Sequence, residues 1–117
     1  MKSVEIQNLQ SELDKIQGLK LVAVILWTKD CDNCTKLLEV IEAIEHKYPK
    51  WIFFKTEVVD MPPLFSPPGL PSINVFFSGI RHFEGVGYNP QEIVEKIMRN
   101  WQITWEHGTG QVKYEND

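Results

Sequence analysis

The chain has only two cysteines, and both belong to one motif, Cys31-Asp32-Asn33-Cys34. A scaffold of several disulfides is therefore excluded, and a bridge over so short a step closes too small a loop to stabilise much through chain entropy. Histidine is scarce as well. His46, His82 and His107 stand at no recognisable finger spacing from the cysteines, so no metal site is expected. Lys/Arg clusters are absent and the formal net charge is −4, which argues against a nucleic-acid surface. The longest apolar run, Leu21 to Trp27, is far too short to span a bilayer. The first residues carry Glu5, Glu12 and Asp14 in an amphipathic pattern and lack the basic start, apolar core and small-residue cleavage site of a secretory signal. A soluble, monomeric protein of a reducing compartment, the cytoplasm, is expected. There a vicinal cysteine pair is more often catalytic than structural.

With 117 residues, 43% hydrophobic and 24% charged, the chain is long enough to bury one substantial core without metal or several disulfides. There is no internal repeat. One domain is expected over residues 1–101, with 102–117 as a C-terminal tail that is disordered or adds a short strand at Gln111 to Glu115.

Ser3 is placed to cap a first helix with apolar residues Ile6, Leu9, Leu13 and Ile16 and Gly18 as its stop. Leu19 to Trp27, dense in Val, Ile and Leu without clean alternation, suits a central strand covered on both faces. From Asn33 to about Tyr48 the pattern turns helical, with Leu37, Leu38, Ile41 and Ile44 on one side and Pro49 as its end. Trp51 to about Glu57 reads as a second strand, completing a βαβ unit. Met61 to Pro71 holds five of the seven prolines and cannot be regular helix or central strand. Ile73–Phe77 and Ile80–Glu84 form a hairpin turning at Ser78-Gly79. Asn89, Pro90 at the first helical position, and Glu92 open a last helix carrying Ile93, Val94, Ile97, Met98 and Trp101.

The cysteine motif follows the apolar strand directly and precedes a helix. That junction puts Cys31 at the open end of the helix, where unpaired N–H groups and the helix dipole favour a thiolate, with Cys34 one turn further in. A thiolate is the species that attacks disulfides, so the spacing points to redox chemistry at Cys31.

The order helix, strand, Cys-x-x-Cys helix, strand, proline-containing loop, hairpin, helix resembles the thioredoxin family over roughly Leu19 to Trp101. Trp27 stands four residues before Cys31, as in the family's Trp-x-x-x-Cys-x-x-Cys pattern. Leu70-Pro71-Ser72 resembles its Ile-Pro-Thr, whose proline follows a cis bond, and Gly79 and Val86-Gly87 fall at the family's spacing from it. The resemblance implies an α/β fold with a central mixed four-stranded sheet flanked by helices. It implies attack by Cys31 and resolution by Cys34, a support for the site from Trp27, and backbone contacts to substrate from Leu70 and Pro71. Protein disulfides would be the substrates and a reductase or small thiol the electron donor, with no cofactor.

The sequence departs from the family at its chemistry. Asp30 and Asp32 flank the nucleophile and bear on its pKa, Ile25 replaces the buried aspartate that assists proton transfer, and Lys55 keeps the place of a lysine near that acid. Glu39 replaces the proline that kinks the family's active-site helix. Two functions stay open: a thiol-disulfide oxidoreductase, and a thioredoxin-like binding module in which the cysteines are secondary and the proline-rich loop serves a partner.

Overall fold

The computed structural model describes residues 1–16, 20–59, 69–77 and 79–108. The expected helix stop at Gly18, the proline-rich stretch before Gly69, Ser78 of the hairpin turn and the Gln111 to Glu115 strand lie outside them.

A mixed sheet of order β1-β3-β2-β4-β5 forms from β1 (Lys2–Ser3), β2 (Leu21–Trp27), β3 (Trp51–Glu57), β4 (Ser72–Phe77) and β5 (Ile80–Val86). Helices α1 (Leu9–Lys15), α2 (Asp32–Ile44) and α3 (Gln91–Gly108) cover it. β2 pairs in parallel with β3 and antiparallel with β4, so both of its edges are filled. Its alternate residues feed two cores. Leu21, Ala23 and Ile25 pack with Leu37, Ile41 and Ile44 of α2 and Val94, Met98 and Trp105 of α3. Val22, Val24 and Leu26 pack on the other face with Leu9 and Leu13 of α1, Phe54 and Phe76. A strand apolar at every position is what a sheet buried on both faces requires.

The sheet has five strands where four were expected. Lys2 and Ser3 pair in parallel with Phe54 and Lys55, and the Val4 N–H donates to the Lys55 carbonyl at 2.9 Å. Ser3 is thus a strand residue and not a helix cap. The free edge of β3 satisfies this backbone and holds Val4 in the core, which delays the helix. Ile6 falls in a short 3₁₀ turn, Ile6–Asn8, and of the expected stripe Leu9 and Leu13 are fully buried.

The last helix differs too. Pro90 precedes α3, its carbonyl accepting from Ile93 and Val94 N–H at 3.0 and 3.1 Å, one position earlier than the sequence placement. At the other end the helix runs on to Gly108, so the expected tail does not begin at Gln102. The reason is a continued stripe: Val94, Met98, Trp101 and Trp105 recur at steps of four, three and four, and Trp105 is 5% exposed. Gln102 accepts a hydrogen bond from the Trp51 indole at 3.1 Å, and Glu106 one from Lys50 at 2.9 Å. These contacts tie the last turns to the start of β3.

Between α2 and α3, Tyr48 Oη donates to Glu95 at 2.7 Å. This bond, with one from Gln91 at 3.0 Å, favours the charged carboxylate and holds Glu95 below its usual range. Burial pushes the Tyr48 hydroxyl above its usual value, and Glu95 adds to the shift.

Trp105→Ala is expected to cost about 3–5 kcal/mol in urea unfolding, as for a large core aromatic; a change near zero would place this residue in a loose tail. Folding favours ionised Glu95, so its contribution is complete above the ordinary value of 4.5 and is lost as pH falls through the lower folded value. Glu95→Gln should therefore lower stability at neutral pH and flatten the acid limb of a stability profile measured by urea titration.

Candidate functional site

The cysteine motif sits where β2 emerges from the sheet. Trp27 is the last residue of β2 and half-buried, and Thr28 to Asp30 carry the chain over the sheet end. Asp30 turns it into the helix with φ 57°, in the left-handed region. Aspartate tolerates that region better than most side chains because its short polar group hydrogen-bonds locally.

Cys31 is the N-cap of α2, with extended backbone (φ −127°, ψ 101°). Its Sγ accepts the Cys34 N–H at 3.2 Å and its carbonyl accepts the Thr35 N–H at 3.1 Å. The sulfur thus takes one of the unpaired donors that every helix start leaves, the role usually played by a hydroxyl or carboxylate oxygen. Cys31 and Cys34 form a disulfide, with Cα atoms 5.2 Å apart. The two sulfurs differ in access. Cys31 is half-buried, whereas Cys34 is 1% exposed, the first member of the apolar stripe Cys34, Leu37, Ile41, Ile44.

β4 brings the second part of the site to the same end. The Leu70–Pro71 peptide bond is cis, and Ser72 pairs with Leu26, so Pro71 abuts the exit of β2. Pro71 is buried and its carbonyl accepts the Gly87 N–H at 2.7 Å, and Leu70 is half-buried. The Leu70 side chain packs toward the second core. Val86 and Tyr88 follow on the rim, 45% and 38% exposed, with the Lys36 ammonium 6.0 Å from the Tyr88 ring centre. Sequence reading did not single out Tyr88, because nothing local links it to α2, so far away in the chain.

Lys55 lies on the other flank. It pairs with Ile25 in the β2–β3 register, and Ile25 is completely buried, so β2 offers Lys55 no carboxylate at that position. Lys55, Glu57, Trp27, Ile6 and Val59 line a cleft of about 700 Å³. The buried Trp27 indole Nε1 has no hydrogen-bond partner among the described residues. Lys29 reaches Glu57 at 4.0 Å, tying the loop before Cys31 to the end of β3. Asp30 and Asp32 are both exposed beside the disulfide, Asp32 in the first turn of α2. α2 is continuous through Glu39. Among the described residues no group of three or more His, Cys, Asp or Glu side chains could hold a metal ion, and no helix is long and apolar enough to cross a membrane.

No family model matches the chain, and no curated protein matches its sequence. Its structure is similar to that of thioredoxin from Plasmodium falciparum, with a TM-score of 0.74 at 18% identity, covering 86% of this chain and 99% of that one. It is similar also to thioredoxin f2 of Chlamydomonas reinhardtii, with a TM-score of 0.74 at 12% identity over 86% of this chain and 95% of that one. These likenesses establish the thioredoxin fold.

The left-handed turn at Asp30 yields a stability test. Asp30→Asn should leave the oxidised protein nearly unchanged in urea unfolding, whereas Asp30→Val should lose about 1–2 kcal/mol, the cost of forcing a branched side chain into this region.

Proposed function

We propose that this chain is a thiol-disulfide oxidoreductase that exchanges its Cys31–Cys34 dithiol with disulfides of polypeptides. The observation that carries the reading is the unequal access of the two sulfurs at a helix start: Cys31 is half-buried at the N-cap and Cys34 is buried behind it. In the reduced protein the Cys31 thiolate attacks one sulfur of the substrate disulfide, forms a mixed disulfide and expels the other substrate sulfur as a thiolate. Cys34 then attacks Cys31 Sγ, closes the internal disulfide and releases the second substrate thiolate. Two electrons pass to the substrate, whose thiolates take up protons, and a reductase or small-thiol donor restores the dithiol.

The remaining residues have roles within this reading. Leu70 offers backbone groups to an extended substrate beside Pro71, and Trp27 supports the loop that carries Cys31. Asp32 and Asp30 oppose thiolate formation, since a like charge raises a thiol's pKa. A carboxylate about 6 Å away at a dielectric of about 40–80 costs roughly 0.7–1.4 kcal/mol, comparable with the roughly 0.3–1 kcal/mol a helix start supplies to an exposed anion. The Cys34 N–H adds to the stabilising side. Lys55 contributes positive charge on the β3 flank.

A second reading, a binding module with idle cysteines, is favoured by one specific observation. Ile25 is completely buried where a proton acceptor for the second thiol is expected. A protein-disulfide assay separates the two. With insulin and dithiothreitol the wild type should accelerate reduction, and Cys34→Ser should accumulate mixed disulfides on non-reducing gels while Cys31→Ser does not. Equal trapping by both variants would reverse or remove the assignment of attacking and resolving thiols. No acceleration and no trapping would leave the binding module.

A further inference from the structure

The rim of the disulfide is unequal in charge. On one side stand Asp30 and Asp32, exposed and directly flanking Cys31 in the chain. Among the described residues neither is in an ion pair. Of the neighbouring cations, both exposed, Lys29 lies 4.0 Å from Glu57 and Lys36 6.0 Å from the Tyr88 ring centre. On the other side the exposed Val86 and Tyr88 follow half-buried Leu70 and buried Pro71.

We infer that Asp30 and Asp32 select the substrate by charge, favouring polypeptide disulfides flanked by basic residues and disfavouring acidic ones. The inference rests on the oxidoreductase reading and names its substrate class. Its physical basis is the charge of the reaction. In thiol-disulfide exchange one negative charge is shared among the attacking, central and leaving sulfurs, and two nearby carboxylates raise the energy of that arrangement. A lysine or arginine beside the substrate cystine offsets them as it docks, and a glutamate adds to them. Because both carboxylates are exposed, the selection is a matter of local potential that salt screens.

The test uses the full chain and two peptides with the same intramolecular disulfide, one with lysines and one with glutamates beside the cysteines. Reduction is driven by dithiothreitol, and each rate is divided by that peptide's rate with dithiothreitol alone, which removes its intrinsic reactivity. The ratio of kcat/KM for the two peptides is also independent of the Cys31 pKa, which acts on both alike. The wild type should prefer the lysine peptide by about five- to ten-fold at low ionic strength, and the preference should fall toward unity at about 1 M salt, where the screening length is about 3 Å. Asp30→Asn with Asp32→Asn should abolish the preference, and Asp30→Asn with Asp32→Lys should reverse it. Circular dichroism melting checks that the variants are folded, and Asp32→Asn alone, with an intermediate ratio expected, serves if a double variant is not. Equal rates for the two peptides with the wild type, or a ratio that survives removal of both carboxylates, overturn the inference and leave the oxidoreductase reading intact. No turnover of either peptide or of insulin overturns both.

Discussion

The structure depends on the complete enclosure of β2. From Leu21 to Leu26 every residue is buried, and β3 and β4 fill the two edges. A strand so enclosed can present chemistry only where it ends, at Trp27. That end is a carboxyl end of a parallel pair, where open α/β sheets place their ligands. The two neighbours then deliver their own residues to the same place. Antiparallel β4 starts there, so Pro71 and Leu70 arrive just before Ser72 pairs with Leu26. Parallel β3 finishes there, bringing Glu57 and Lys55 to the other flank. The candidate site is thus assembled from three segments distant in sequence by one shared constraint.

Helical periodicity makes the two cysteines unequal. α2 must put Leu37, Ile41 and Ile44 against the sheet, and Cys34, three residues before Leu37, lies on the same face. Cys31 falls one turn earlier, outside the helix proper, where its sulfur accepts a backbone N–H as a cap. Burial of Cys34 and the greater access of half-buried Cys31 therefore follow from the requirements of packing, and the same geometry favours negative charge on the Cys31 sulfur. Asp30 and Asp32 flank that cap from the loop and the first turn, both exposed. Ile25 contributes to the core and leaves Lys55 without a carboxylate opposite it on β2.

Much of this was legible before any coordinates. β2, α2 and β3 carry strong local patterns, an unbroken apolar run, a three- and four-step stripe, and a second apolar run, and each forms within a few residues of its expected place. The place of Cys31 and Cys34 at the start of α2 was also legible, because it rests on short-range spacing at a strand-to-helix junction. Trp105 was within reach. It continues the stripe of Trp101 by four residues, but the polar Gln102, Glu106 and His107 around it read as a tail until their contacts with the start of β3 are seen.

By itself, then, the sequence determined the elements that local periodicity encodes and the cysteine pair at a strand-to-helix junction. Tertiary structure alone decided the rest. Lys2 and Ser3 are a strand only because β3 leaves an edge open, since two residues carry no periodicity of their own. Tyr88 and Lys36 meet only because β5 and α2 converge on the same sheet end. The reason is common to all of these. A residue's hydrogen bonds and apolar contacts reach across the chain wherever no local partner satisfies them, and such partners are set by packing and not by neighbours in sequence.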